Sequence, residues 1–192
     1  MTTQVQRRQD TRRRILSAAG RLFRANGFDK TSVEQIVAGA EVAKGTFYQY
    51  FPAKIDVALA LGSEAQQQSL EEIRSKLAAG QSPLAVGGGF LRSTAAWVEK
   101  NRGIARPLLL HGLEKPRTRR PGSMRSMLAL IFAAAQKKGE IRTDLPAEHI
   151  SELLAGNLAL TVLHWTMHGK RGQLAAWLRL GWKLHMEGAL PR

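Results

Sequence analysis

A chain of 192 residues, 44% apolar and 23% charged, has the composition of a folded globular protein, which excludes wholesale disorder, collagen-like and low-complexity classes. Its 29 Lys and Arg against 15 Asp and Glu leave a net charge of +14, so a polyanion, nucleic acid first, is the expected partner. Zero cysteines exclude disulfides, thiolate zinc sites and a cysteine nucleophile. The leading MTTQVQRRQDTRRR has no apolar stretch behind its charges, so no secretory signal is read there and the cytoplasm is the expected compartment.

From Gln9 to Asn26, the apolar residues Ile15, Leu16, Ala19, Leu22 and Phe23 recur at three- and four-residue steps, while the arginines fall mostly elsewhere. That spacing predicts an amphipathic helix, ended by Gly27 in the left-handed conformation with Phe28 as the accompanying apolar contact. Thr31-Ser32-Val33-Glu34 fits a capping box with Thr31 as the N-cap, opening a short second helix on Val33, Ile36, Val37 and Ala40. Glu41-Val42-Ala43 interrupts it before a third segment, Lys44 to Phe51, which Pro52 closes. Helices at 32–40 and 44–50 joined by so tight a turn have the spacing of a helix-turn-helix.

Downstream, glycine and proline breaks predict helices over 53–79, 83–100, 103–113, 123–138, 146–168 and 172–188, with Gly87-Gly88-Gly89 able to kink or split the second of them. The charge-free run Leu153 to Gly169 contains Asn157, Thr161, His164 and His168, which are costly in hydrocarbon, so it reads as a buried helix and no membrane partner is expected. No alternating strand pattern stands out, and the fold class is all-α.

A helix entering the major groove needs polar or small residues on one face and apolar anchors on the other. In the third segment Phe47 and Phe51 lie four apart and share a face suited to packing, whereas Lys44, Tyr48 and Gln49 point away and Gly45 lets the backbone approach a duplex closely.

Residues 31–54, TSVEQIVAGAEVAKGTFYQYFPAK, resemble the DNA-binding signature of the TetR family of bacterial transcriptional regulators. The resemblance joins a capped short helix, a turn, the run Lys44 to Phe51 and a lysine three residues after its last aromatic. Two positions depart from the family pattern, with Glu41 in place of the usual glycine and Ala43 in place of the usual serine. A positive φ at Glu41 would cost on the order of 1 kcal/mol, and the missing hydroxyl forgoes a cap of about 1 kcal/mol.

The resemblance implies that Lys44, Gly45, Thr46, Tyr48, Gln49 and Tyr50 line the groove, with Thr31, Ser32 and Lys54 on phosphates. The alternative for Tyr48 and Tyr50 is that they are core aromatics. The arginines of 7–14 read either as a phosphate-binding arm ahead of the first helix or as a solvated helix face. Lys115 to Arg125, with five basic residues and two prolines, reads as a loop that touches DNA, an acidic effector or nothing.

The resemblance further implies two domains, a helix-turn-helix DNA-binding domain over 1–52 and a helical effector-binding and dimerisation domain over 53–192. Double-stranded DNA carrying a palindromic operator and a second copy of the chain are the expected partners, since one helix-turn-helix reads one half-site. Dimerisation is expected through 146–168 and 172–188, which offer Leu153, Leu154, Leu158, Val162 and Trp165 with Leu174, Trp177, Leu178, Gly181 and Leu184, a stripe that also reads as intramolecular core. A small-molecule effector, unidentified but better apolar or anionic than cationic, is expected among the middle helices, where Trp97, Arg106, His111, Phe132, His164 and Trp165 are candidate walls. His164 and His168 are four apart, but no third ligand is indicated, so neither a metal nor a cofactor is expected.

The expected function is that of a sequence-specific repressor released from its operator by the effector, and not an enzyme. Two other classes stand beside it: a nonspecific nucleoid-like DNA-binding protein, suggested by the charge, and a helical enzyme with a basic anion-binding cleft.

Overall fold

The computed structural model describes residues 3–114, 122–170 and 172–189, and the nine regular elements among them are all helices. They are α1 (Gln4–Asn26), α2 (Val33–Ala40), α3 (Lys44–Tyr50), α4 (Lys54–Ala78), α5 (Pro83–Lys100), α6 (Arg102–Glu114), α7 (Met124–Lys137), α8 (Ala147–His168) and α9 (Leu174–Ala189). The chain forms two compact units, one from Met1–Glu64 with Asn101–Glu114, the other from Ala65–Lys100 with Lys115–Arg192. The larger part of the basic run Lys115 to Arg125 lies outside the described residues.

The first unit carries the helix-turn-helix. Helix α1 begins earlier than its apolar spacing suggests, because Thr3 and Gln6 form a reciprocal capping box ahead of the apolar stripe. Arg7 to Arg14 therefore lie on the helix itself, which corrects the arm reading. Gly27 has φ 83° but ψ 167°, an extended mirror-image conformation and not the left-handed helical one, and only glycine adopts it without strain. Phe28 packs on Phe23 as expected, with ring centroids 5.4 Å apart.

The capping box of α2 is shifted by one residue from the expected one. Ser32 is the N-cap and Gln35 reaches back to it, whereas the Thr31 side chain turns inward and donates to the carbonyl of Gly27 at 2.7 Å. Glu41 takes the left-handed conformation, φ 52° and ψ 50°, that ends α2. Ile15, Ala19, Phe23, Ile36, Phe47 and Phe51 close the core where α1, α2 and α3 meet.

Helix α6 joins this unit through an unusual backbone bond. Pro107 lies inside α6 and has no N–H to offer the carbonyl four residues back, which belongs to Gly103. That carbonyl instead accepts the backbone N–H of Phe28 at 3.1 Å. Gly103 is packed so closely on the end of α1 that an added Cβ would run into the carbonyl oxygen of Phe23 and lie 3.0 Å from the Cα of Gly27.

In the second unit, α5, α7, α8 and α9 pack on one another around Phe90, Leu128, Ile131, Phe132, Leu154, Leu158 and Trp165. The glycine triplet does not break α5, which runs unbroken from Pro83 to Lys100. Gly87 has a packing role, because the Trp182 ring of α9 occupies the space a Cβ would need and stacks on Phe132 with centroids 5.8 Å apart. The apolar stripe of α8 divides into two. Leu154, Leu158, Val162 and Trp165 are internal, while Leu153, Leu160 and Met167, seven residues apart, form an exposed line nearly opposite.

Candidate nucleic-acid interface

The reading helix α3 is anchored by Phe47, fully buried, and Phe51, 4% exposed. Their rings lie 6.0 Å apart, and the Arg12 guanidinium sits 5.7 Å over Phe51. The opposite side of α3 is open. Lys44, Gly45, Tyr48 and Gln49 are exposed, with Tyr48 at 47%, and a Cβ at Gly45 would meet nothing within 4 Å. Tyr48 projects outward while its ring meets that of Phe47 edge-on, centroids 5.3 Å apart, whereas Thr46 and Tyr50 are half-buried. Ala43 supplies no side-chain hydrogen bond to the start of α3, as its methyl group dictates.

Besides the N-cap Ser32, three of the expected phosphate and groove residues have intramolecular commitments. Thr31 is 1% exposed and its hydroxyl is bonded to Gly27, so it is set aside as a phosphate ligand, and exposed Ser32 is left as the hydroxyl at this edge. Lys54 reaches back with its Nζ 2.6 Å from the Phe28 carbonyl and 2.8 Å from that of Thr31, lying 4.2 Å over the Phe28 ring. It therefore clamps α4 to the loop before α2 and is not a free surface cation. Lys44 donates to Glu34 at 2.6 Å. That hydrogen bond from Lys44 is the main reason the Glu34 carboxyl is held down to about 2, and the same bond raises the Lys44 ammonium.

Arg14 is a residue that charge patterning alone misplaced. Its Nε donates to the Ala40 carbonyl at 2.9 Å and its Nη2 reaches the carbonyls of Ala40 and Glu41, so one guanidinium closes the C-terminal end of α2. The signal for it was present. Helix α2 has no basic residue in its last turn, and its final carbonyls need a donor from elsewhere.

The candidate effector walls are scattered. Arg106 and His111 belong to α6 in the first unit, while Trp97, Phe132, His164 and Trp165 belong to the second. Within the second unit Phe132 and Trp165 are fully buried, Trp97 is half-buried, and His164 faces outward on the exposed side of α8, which removes it from an internal wall. The His164 and His168 rings lie 5.0 Å apart, and among the described residues no group of three metal-ligating side chains forms. No helix among the described residues is long and apolar enough to cross a membrane.

Comparison with known proteins places this geometry. Residues 15–61 match the family model described as bacterial regulatory proteins, tetR family, and residues 63–188 match the one for the C-terminal domain of TetR/AcrR family transcriptional repressors. A solved Thermus thermophilus repressor, FadR in complex with lauroyl-CoA, is 31% identical with a TM-score of 0.77, the alignment covering 94% of this chain and 96% of that one. The repressor KstR of Mycobacterium tuberculosis is 28% identical, covering 90% of this chain and 82% of its own. The regulator UidR of Escherichia coli is 26% identical over 76% of each chain. With both its reading head and its helical second part matched, the chain belongs to the TetR family of bacterial regulatory proteins and is a ligand-responsive, DNA-binding transcriptional repressor.

Proposed function

We propose that the chain acts as a homodimer on a palindromic operator and is released from it by a fatty acyl-CoA. The observation that carries the DNA reading is the two-sided α3, with Phe47 and Phe51 buried behind an open face of Lys44, Gly45, Tyr48 and Gln49. Gln49 pairs with a base edge, Tyr48 offers a hydroxyl and ring contact to thymine methyls, Thr46 and Tyr50 lie at the flanks of that face, and Ser32 holds a phosphate.

The dimer reading is supported by the exposed line of Leu153, Leu160 and Met167 on α8 and by Leu180 and Leu184 on α9, 56% and 60% exposed. Large apolar side chains in such register on the surface of one subunit mark an interface. The effector class is supported by the lauroyl-CoA bound to the Thermus thermophilus relative, and it agrees with a basic chain whose second unit is apolar inside. As it stands, that interior is filled by Trp182 lying on Phe132, so an acyl chain entering beside Phe132 and Trp165 has to displace the indole. We read the work of the protein as binding without turnover, carried out in the cytoplasm where its DNA partner lies.

Selection of binding sites from random duplexes at about physiological salt tests the first half of the proposal, because nonspecific binding is weak there. Enrichment of a palindrome with half-sites about 34–36 Å apart is expected. Recovery of every sequence equally would support the nucleoid-like alternative. Release of the selected duplex by micromolar lauroyl-CoA, and not by laurate or a cationic dye, tests the second half.

A further inference from the structure

We propose that the first unit carries an anion-binding cleft for a phosphorylated nucleoside, separate from the DNA-reading face of α3. The cleft is about 490 Å³ and lies between α1 and the first part of α4. That volume falls within the range of small-ligand sites, and a concave site of this kind takes a compact ligand in preference to the convex side of a duplex.

Its wall on α1 is a single helical line. Arg13, Ser17, Gly20 and Arg24 follow one another at steps of four, three and four residues, so their side chains face the same way. Arg13 and Arg24 stand at the two ends, about 16 Å apart along the axis at 1.5 Å per residue. Gly20 forms part of the floor and is buried, and Arg24 folds back across it, its Nη1 only 3.3 Å from where a Cβ on Gly20 would stand. A side chain at position 20 would shift that guanidinium by a few tenths of an ångström.

Half-buried Leu61, with buried Leu16 behind it, completes the floor and presents an apolar surface on which a base can lie. The two other charged groups of the cleft cancel, because Arg12 is paired with Glu64 at 2.9 Å. Arg24 has no hydrogen bond or ion pair among the described residues, and Arg13 has only a long one, 3.6 Å, to exposed Asp10. Two guanidiniums without a close partner, flanking an apolar floor, suit phosphate groups joined to a flat, weakly polar ring.

Two sources supply that chemistry: coenzyme A, free or acylated, an arm that rests on the effector class proposed above, or a free nucleotide phosphate. Titration of the full-length protein, without DNA, by calorimetry at about 0.15 M salt separates them. The probes are lauroyl-CoA, free coenzyme A, adenosine 3′,5′-bisphosphate and laurate. The variant is Arg13→Glu with Arg24→Glu, and its control is Arg8→Glu with Lys30→Glu, the same charge change on exposed side chains of the same unit outside the cleft.

The expected result is that coenzyme A and the bisphosphate bind the parent and the control, and bind the cleft variant at least tenfold more weakly, while laurate is unaffected. A matching loss for lauroyl-CoA shows that the cleft takes the acylated coenzyme. An unchanged lauroyl-CoA affinity with the tenfold loss for the bisphosphate assigns it to free nucleotide and leaves the effector reading standing. Equal weakening in variant and control, or binding of coenzyme A and the bisphosphate to the cleft variant as tightly as to the parent, overturns the proposal. Failure of lauroyl-CoA alone to bind the parent counts against the effector reading and not against the cleft.

Discussion

Replacing Gly103 with alanine adds one carbon atom where α6 meets the end of α1. The new Cβ would overlap the carbonyl oxygen of Phe23 and sit 3.0 Å from the Cα of Gly27 and 3.3 Å from the Phe23 carbonyl carbon. Carbon atoms rest at about 3.5–4.0 Å, and all three obstacles are backbone, so α6 has to retreat by roughly 1 Å. The bond from Phe28 N–H to the Gly103 carbonyl, now 3.1 Å, then stretches beyond hydrogen-bonding range. Overpacking costs about 1–3 kcal/mol and the lost bond about 1 kcal/mol, for a total of roughly 2–4 kcal/mol. For a chain of this size that corresponds to about 5–15 °C in melting temperature. The same substitution at Gly112, also in α6 but with nothing within 4 Å of its added Cβ, is the control and should gain about 1 kcal/mol from helix propensity. Thermal melting followed by circular dichroism reads both. A Gly103→Ala protein that melts within 2 °C of the parent would refute the close joint between α6 and α1.

Further outcomes are expected. Glu34→Gln should release Lys44 toward DNA, tightening binding to every sequence and steepening the salt dependence by up to about 0.9 in log–log slope. The Glu34–Lys44 pair should also outlast ordinary carboxylates in acid. A depressed carboxyl contributes stability that is complete above its unfolded value near 4.5 and is lost as pH falls through about 2, so NMR titration of Glu34 should place its midpoint near 2. Glu41→Gly should raise stability by about 0.5–1 kcal/mol in chemical denaturation, because it relieves a left-handed residue while adding glycine's unfolded-state entropy. Lys54→Ala should cost about 2–3 kcal/mol by removing two charge-assisted bonds, and it should leave the salt slope of DNA binding unchanged; a slope lower by about 1 would make Lys54 a phosphate contact after all. Leu160→Glu should give a helical monomer in analytical ultracentrifugation, and a dimer surviving at micromolar concentration would move the interface elsewhere.

The helices and the reading head were legible because their signals are local. Ile36 and Ala40 repeat on one face of α2, Phe47 and Phe51 on one face of α3, and Pro52 ends the run. The cap of α2 was read one residue early, since Thr31 and Ser32 both carry hydroxyls and both Glu34 and Gln35 can reach back. Only the pull of the Gly27 carbonyl on Thr31 decides between them, and it comes from the tertiary fold. The roles of Arg14 and Lys54 were hidden for a related reason. A long basic side chain in a basic sequence looks solvated, whereas these two end on backbone carbonyls 26 residues away in sequence. The division of the α8 stripe into buried Leu154 and exposed Leu153 was likewise beyond periodicity, because an apolar helix has two apolar sides and nothing local says which one the subunit keeps.

The joint between α6 and the loop after α1 is made from what two residues lack. Glycine at 103 contributes a missing carbon and proline at 107 a missing hydrogen, and together they leave one peptide oxygen both reachable and unclaimed. A connection of this kind has no side chain to tune, so substitutions elsewhere along α6 can reshape its surface without disturbing how it grips the reading head. Conversely, almost any change at these two positions fills one of the gaps. Variation in the surface of α6 and constancy of the grip can therefore proceed on the same helix.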